Sequence, residues 1–273
     1  MMKLCKDPLS IKQINNVPTF VHSIATQVLS GEIYTHDIDE QQYNGLKDIN
    51  PNIQIQSLPL WVESEKGFCY LRGNVHTTSN GFYNFVKIKC RQHLEQSGRF
   101  VVFSDSNDWD QLLSTDFKGI IKKMTRYSLI YKKNDYPQIT KKLPQGYSIQ
   151  KINESVIHKS SLFDEKYYID YWNSVSNYLK HGFGYAILYK NQVVCECTSI
   201  FANDWSAEID IQTDINHRGL GLASIAAKAF IEYGLSTGKT VVWDCNSINI
   251  ISYQLAIQLG FEHIHTYTLW SRS

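Results

Sequence analysis

Glu208 and Asp210 stand two residues apart in SAEIDIQT (206–213), and NHRGLGLASIAAKAF (216–230) follows with Arg218 beside Gly219 and Gly221. The alternation in the first stretch is that of a strand, so Glu208, Asp210 and Gln212 share one face while Ile209, Ile211 and Thr213 share the other. Two carboxylates on one face can raise each other's pKa, and either bind a cation or take a proton from one, directly or through water. A solvated or hydrogen-bonded polar face would use the same residues. The second stretch suits an anion. The first turn of a helix leaves backbone N–H groups unpaired at its electropositive end, and glycines at 219 and 221 remove the side chains that would keep a diphosphate away. Arg218 adds a delocalised charge. GxGxxG fails because no third glycine follows Gly221, and GxxxxGK[ST] fails because no Lys-Ser or Lys-Thr pair follows, which argues against a dinucleotide or a nucleoside triphosphate. Taken alone, RGLG also fits a plain tight turn.

The elements that must position these residues can be read around them. GYAILYK (184–190) and VVCECTSI (193–200) flank a hairpin turn at Asn191-Gln192. A helix over 220–234 carries Leu222, Ile225, Ala226, Ala229 and Phe230 on one face. TVVWD (240–244) is a short β-branched strand, a second helix runs from 249 to 259 with Gly260 as its stop, and HIHTYTLW (263–270) is the last strand. The order is hairpin, strand, helix, strand, helix, strand.

At 273 residues and 43% hydrophobic content the chain can build one large core or two ordinary ones. Prolines, lysines and a glycine concentrate in YKKNDYPQITKKLPQGY (131–147), which predicts domains over 1–135 and 145–273. Shifting the chain by 140 residues lays SGRFVVF (97–103) on TGKTVVW (237–243), Gly81 on Gly221, and YSLI (127–130) on YTLW (267–270). The identities are few, but they fall at a helix start, a helix-to-strand turn and two strands. They predict that the N-terminal half is a diverged copy of the C-terminal fold; two unrelated α/β domains with common turn chemistry would be the alternative. In such a copy Thr78 and Ser79 occupy the places of Arg218 and Gly219, which would disable its loop.

Lys plus Arg (27) balance Asp plus Glu (26), so no global field draws the chain to nucleic acid or to anionic membranes. The N-terminus has no apolar stretch of signal-peptide length, and no run of 18 uncharged apolar residues occurs anywhere, so a cytoplasmic protein is expected. Six scattered cysteines, without a CxxC pair, read as reduced core residues rather than as a disulfide framework, a zinc site or an acyl-cysteine nucleophile. No HExxH or Cys/His cluster occurs, so no metal is expected, and His263 and His265 read as solvent-facing. Tyr168, Tyr171, Trp172 and Tyr178 fall at helical spacing and suit either a core or a cleft lid.

A polar-apolar strand ending in QTDINHRGLGLA, then a helix, VVWDC, Asn249 and LAIQLGF, resembles the acetyl-coenzyme A binding core of the GNAT superfamily of N-acetyltransferases, and most of all a bacterial subgroup that includes zwittermicin-resistance acetyltransferases. The resemblance covers about residues 145–273 and implies an α/β (α+β) GNAT fold with a central mixed sheet, preceded by an N-terminal α/β domain. It implies acetyl-CoA as cosubstrate, wedged between strands 206–213 and 240–244. The family's Gln/Arg-x-x-Gly-x-Gly/Ala loop falls on Asn216, His217, Arg218, Gly219, Leu220 and Gly221, with Leu222 and Ala223 opening the helix. Asn216 is shorter than the family's residue, so one phosphate contact is either missing or made by His217. A backbone N–H near Ile211, Gln212 or Thr213 would polarise the thioester carbonyl. Glu208 is the first choice of base and Asp210 the second, because a lysine-like amine is mostly protonated at neutral pH. The family's tyrosine acid is replaced by Ala256, leaving Ser252 or Tyr253 to protonate the departing thiolate, or no acid at all. Asn249 matches the residue that faces the pantetheine arm, and it also suits a helix cap.

The acceptor expected is a primary amine on a small molecule, an antibiotic or a metabolite, and a homodimer is left open. The competing readings are a non-catalytic acetyl-CoA-binding module, which the loss of the tyrosine favours, and a tandem transferase using aminoacyl-tRNA, which the neutral charge disfavours.

Overall fold

The computed structural model describes residues 2–4, 17–36, 59–73, 80–132, 137 and 141–273. The chain folds into two compact units, one of Met1–Arg126 with Thr266–Ser273 and the other of Tyr127–His265. These differ from the expected ranges of 1–135 and 145–273 mainly at the C-terminus, where Thr266–Ser273, with the end of the last strand, belong to the first unit.

In the first unit, strands β1 (Met2–Leu4), β2 (Gly31–His36), β3 (Leu60–Ser64) and β4 (Phe68–Arg72) pair in antiparallel succession, and helix α1 (Thr19–Ala25) precedes β2. Helix α2 (Asn80–Glu95) then crosses to β5 (Val101–Ser104), which lies parallel to β4. Helix α3 (Asn107–Asp116) leads to β6 (Ile121–Tyr131). The partner that follows β5 in the sheet is the end of the last strand, β12 (Phe261–Arg272), with Thr268 opposite Ser104 and Ser271 opposite Val101. Burial explains why the C-terminus is held there. Trp270 is packed with Trp61, Leu71, Phe82, Val102 and Trp109, and its indole donates to Asp110 Oδ1 at 2.8 Å.

The second unit repeats this plan. Strands β7 (Tyr147–Lys151), β8 (Gly184–Tyr189), β9 (Gln192–Ala202) and β10 (Ser206–Thr213) form an antiparallel run, with helices α4 (Glu154–Lys159), α5 (Glu165–Trp172) and α6 (Val175–His181) between β7 and β8. Helix α7 (Leu222–Ser236) crosses to β11 (Thr240–Asn246), parallel to β10, and α8 (Ile250–Leu259) leads to β12. The segments 97–103 and 237–243 therefore occupy the same topological place, each entering the strand that lies parallel to the end of an antiparallel run.

Most of the expected elements coincide with the observed ones. The hairpin turn is shifted by one residue: Tyr189 pairs with Gln192, so Lys190 and Asn191 form the turn, both with positive φ. Two positive-φ residues make the mirror-image turn that matches strand twist, and Asn tolerates that conformation well. Helix α7 begins at Leu222, two residues later than expected, because Gly221 caps it in the left-handed region.

Candidate active site

The strand that carries the two carboxylates is shared between two layers. Ala207 pairs with Val241, and a Cβ on Gly234 of α7 would lie 2.8 Å from a Val241 methyl, so this face of the sheet packs on α7. Glu208 and Asp210 take the opposite face by the period of two. A register shift lies between Glu208 and Ile209, but its extra residue is Ile200 on β9, so the alternation along β10 survives. On that opposite face Tyr167 of α5 donates to Asp210 Oδ2 at 2.9 Å. Thr198, directly across from Asp210, donates to Tyr178 of α6 at 2.8 Å.

The three polar residues of β10 differ in depth. Glu208 is buried, Asp210 half-buried and Gln212 exposed, a gradient that runs outward toward the glycine loop. Phe163 and Tyr171 flank Tyr167, with ring centroids 4.4 and 4.6 Å away, so Asp210 sits against an aromatic cluster. Burial, and then the charge of Asp210, push the Tyr167 phenol well above its ordinary value, which keeps it a hydrogen-bond donor. Tyr168, Trp172 and Tyr178 are fully packed core residues and Tyr171 is half-buried, which settles the first three as core rather than lid.

The β10–β11 ladder runs from Ser206↔Thr240 to Ile209↔Trp243 and stops there, although both strands continue, to Thr213 and Asn246. Past the ladder, Asp210–Thr213 keep their pairing with β9. A ligand can therefore enter between the two parallel strands without breaking a backbone pair. In the first unit the corresponding ends are tied together. The β4–β5 ladder reaches Leu71↔Ser104, and beyond it Arg72 Nε lies 3.4 Å from Asp105 Oδ2, with the Tyr70 hydroxyl on the same oxygen. Thr78 and Ser79 lie outside the described residues.

At the far end of β10 the chain makes a short turn, Ile215–His217, capped by Asp214, whose Oδ1 accepts from Asn216 N–H at 2.8 Å. Gly219 and Gly221 both have positive φ, 79° and 78°, a region that side chains penalise. A Cβ on Gly219 would meet nothing within 4 Å, so the surface there is open backbone. Helix α7 has no side-chain cap, and its first backbone bond is Ile225 N–H to Gly221 O at 3.2 Å. The N–H groups of Leu222, Ala223 and Ser224 thus have no partner within the helix, and a phosphate is the ligand that such donors suit.

The remaining expected residues fall in three groups. Arg218 is held at the loop by donating Nε to Thr213 O at 3.2 Å, while Leu220 is exposed and Leu222 buried. His217 turns away from the loop, its Nδ1 2.8 Å from the Tyr147 hydroxyl. Asn249 caps α8, its side chain accepting from Ser252 N–H at 3.2 Å, so the cap role is met. Ser252 Oγ accepts from the Trp243 indole at 3.0 Å, which leaves its own hydrogen to be donated elsewhere. Tyr253 packs on Tyr127 and His263, with ring centroids 5.2 and 6.3 Å away. Ile211 and Thr213 are half-buried on the α7 side, and Thr213 Oγ1 donates to Cys195 Sγ at 3.2 Å.

Cys69, Cys90, Cys195, Cys197 and Cys245 are free and buried. Burial pushes the Cys195 thiol up to about 12 and Cys197 well up, so neither offers a thiolate at neutral pH. His263 is exposed, as expected, but His265 is half-buried. Among the described residues no helix is long and apolar enough to cross a membrane.

Residues 11–270 match the GNAT acetyltransferase family. The chain belongs to that family. It is 34% identical over 255 residues, 93% of this chain and 90% of the other, to a Bacillus subtilis (strain 168) protein described as the uncharacterized N-acetyltransferase YdfB. Its fold is similar to that of a GCN5-related N-acetyltransferase-like protein from Streptococcus suis, with a TM-score of 0.68 at 21% identity, covering 97% of each chain. It also resembles a tandem GNAT protein from the clavulanic acid biosynthesis pathway, with a TM-score of 0.59 at 10% identity, over 99% of this chain and 98% of that one. The protein is accordingly an acetyltransferase of the GNAT family, with that family's mixed sheet flanked by helices.

Proposed function

We propose that this chain transfers the acetyl group of acetyl-CoA to a primary amine of a small molecule, an antibiotic or a metabolite, by direct attack within a ternary complex, in the cytoplasm. The C-terminal range, 145–273, carries the chemistry, and the N-terminal range, 1–135, is a diverged copy that has lost it. The observation that carries the reading is the early end of the β10–β11 ladder beside a helix whose first N–H groups have no cap. It offers an entry for the pantetheine arm and a seat for its phosphates.

Acetyl-CoA brings the activated thioester, and the chain's own residues do the rest. Asp210, fixed by Tyr167 and bordered by aromatic rings, attracts the acceptor as a cation. Glu208, deeper on the same face, takes the ammonium proton so that the free amine can attack. A backbone N–H between Ile211 and Thr213 polarises the thioester carbonyl. Ser252, whose oxygen is already engaged by Trp243, turns its hydrogen toward the departing sulfur; Tyr253 is the alternate donor. The resemblance to zwittermicin-resistance acetyltransferases supports a polar, amine-bearing acceptor over a protein lysine.

The second reading, a non-catalytic acetyl-CoA-binding module, is favoured by one feature, the buried Ala256 where the family has tyrosine. Thiol release from acetyl-CoA against a panel of amines separates the two. Turnover with some amine that falls about 100-fold or more in Glu208→Gln is expected. Coenzyme binding without turnover on any amine would establish the module instead, and an unimpaired variant would remove Glu208 as base.

A further inference from the structure

The glycine loop has a short, uncharged residue where the family pattern has Gln or Arg, and a lysine from outside the loop stands next to it. Asn216 occupies the position where the family pattern has Gln or Arg, and its own N–H is taken by Asp214. His217, the neighbour that might replace it, is committed elsewhere. Its Nδ1 faces the Tyr147 hydroxyl, and its ring packs on Tyr147 and Tyr189 with centroids 5.7 and 5.5 Å away. Lys141 lies beside the loop instead. A Cβ built on Gly221 would fall 2.6 Å from Lys141 Cδ and 3.1 Å from its Nζ, so the lysine side chain lies across the glycine that caps α7.

We propose that Lys141 is a coenzyme-binding residue, a clamp that contributes to the pyrophosphate seat a positive charge that the short, uncharged Asn216 does not bring. The proposal rests on the acetyl-CoA reading above. Its geometry follows from the chain path. Pro144 O accepts from Tyr147 N–H at 3.2 Å in the turn before β7, and Tyr147 is fastened to the loop through His217, so the residues just ahead of that turn run beside the loop. Lys141 is exposed and has no ion-pair partner among the described residues. A long side chain gives up rotamer freedom when held over backbone, and an anion that engages its ammonium and the helix N–H groups together would offset that loss. Gly221 then has two reasons to be glycine: its φ, and the lysine that any Cβ would displace.

The test is calorimetry with the full chain and three probes: coenzyme A, dephospho-coenzyme A, which keeps the pyrophosphate but lacks the 3′-phosphate, and pantetheine, which lacks both. Lys141→Ala is expected to weaken binding of the first two by about tenfold each, the size of one charge-assisted contact, and to leave pantetheine unchanged. Lys141→Arg should keep most of the affinity. Asn216→Arg in the Lys141→Ala background should recover it, because it supplies a cation at a position where the family pattern allows Arg. Equal affinity of Lys141→Ala and the wild type for coenzyme A would overturn the proposal, as would a loss seen with coenzyme A but not with dephospho-coenzyme A. Failure of the wild type to bind coenzyme A at all would instead overturn the function on which it rests. Thermal unfolding of each variant guards against a loss of fold, and the arginine rescue cannot be produced by a destabilised loop.

Discussion

The Tyr167 hydroxyl donates to Asp210 Oδ2 at 2.9 Å, joining α5 to the strand that carries both carboxylates. The bond fixes the half-buried carboxylate and brings the aromatic cluster of Phe163 and Tyr171 up to it. If Asp210 holds the acceptor's ammonium, Tyr167→Phe should raise KM for the amine by about tenfold with little change in KM for acetyl-CoA. Asp210→Asn should raise it further, and the double variant should be no worse than Asp210→Asn alone. Steady-state kinetics on the four proteins checks this. Additive losses would show that the two residues act separately.

Glu196 gives the second unit a pH dependence. It is fully buried, accepting from Ser160 Oγ and from Phe163 N–H, and burial raises its carboxyl from 4.5 to about 7. Its Oε1 has no hydrogen-bond partner. Folding thus strengthens its hold on the proton. Between pH 4.5 and 7 the native state keeps a proton that the unfolded chain has released, so the stability it contributes is complete below that window and lost as pH rises through it. The loss is on the order of 3 kcal/mol. Urea unfolding from pH 5 to 8 should show the wild type losing that much more stability than Glu196→Gln. Parallel pH profiles would remove Glu196 as the cause.

Glu63 in the first unit behaves in the opposite sense. Burial opposes its ionisation, but hydrogen bonds from His93 at 3.1 Å, from Lys89 and from Trp61 at 2.8 Å outweigh it and hold the carboxyl near 2. Its contribution is present above its unfolded value of 4.5 and is lost as pH falls toward 2. Glu63→Gln should therefore flatten the acid side of the unfolding profile and leave the Glu196 window unchanged. A wild-type and variant pair with the same acid midpoint would contradict this.

How much of the fold and site is legible in the sequence depends on range. SAEIDIQT coincides with β10 because alternation is local, and Asn249 with Gly260 bracket α8 because caps act within one turn. Tyr167, Lys141 and the placing of β12 beside β5 are invisible to periodicity, since each depends on a partner many residues away. Ser252 was selectable by its helix, but the indole that takes up its oxygen comes from β11. The short Asn216 is the sequence signal that sets this loop apart from the family pattern, but the partner of its neighbour His217, Tyr147, lies 70 residues away and is not readable from spacing.

The glycine loop gives a prediction in which stability and binding separate. Gly219 has φ 79° and nothing within 4 Å of its Cβ position. An alanine there meets no neighbour in the free protein, so Gly219→Ala should cost only the backbone penalty of the left-handed region, about 1–2 kcal/mol. If the loop seats the coenzyme's phosphates as proposed, the added methyl would nevertheless stand where their oxygens approach the main chain, and coenzyme A affinity should fall by far more than that penalty explains. Thermal unfolding and calorimetry on the same preparation give both numbers. A variant that binds coenzyme A as the wild type does would mean that the phosphates lie elsewhere, because a methyl group cannot share that surface with them.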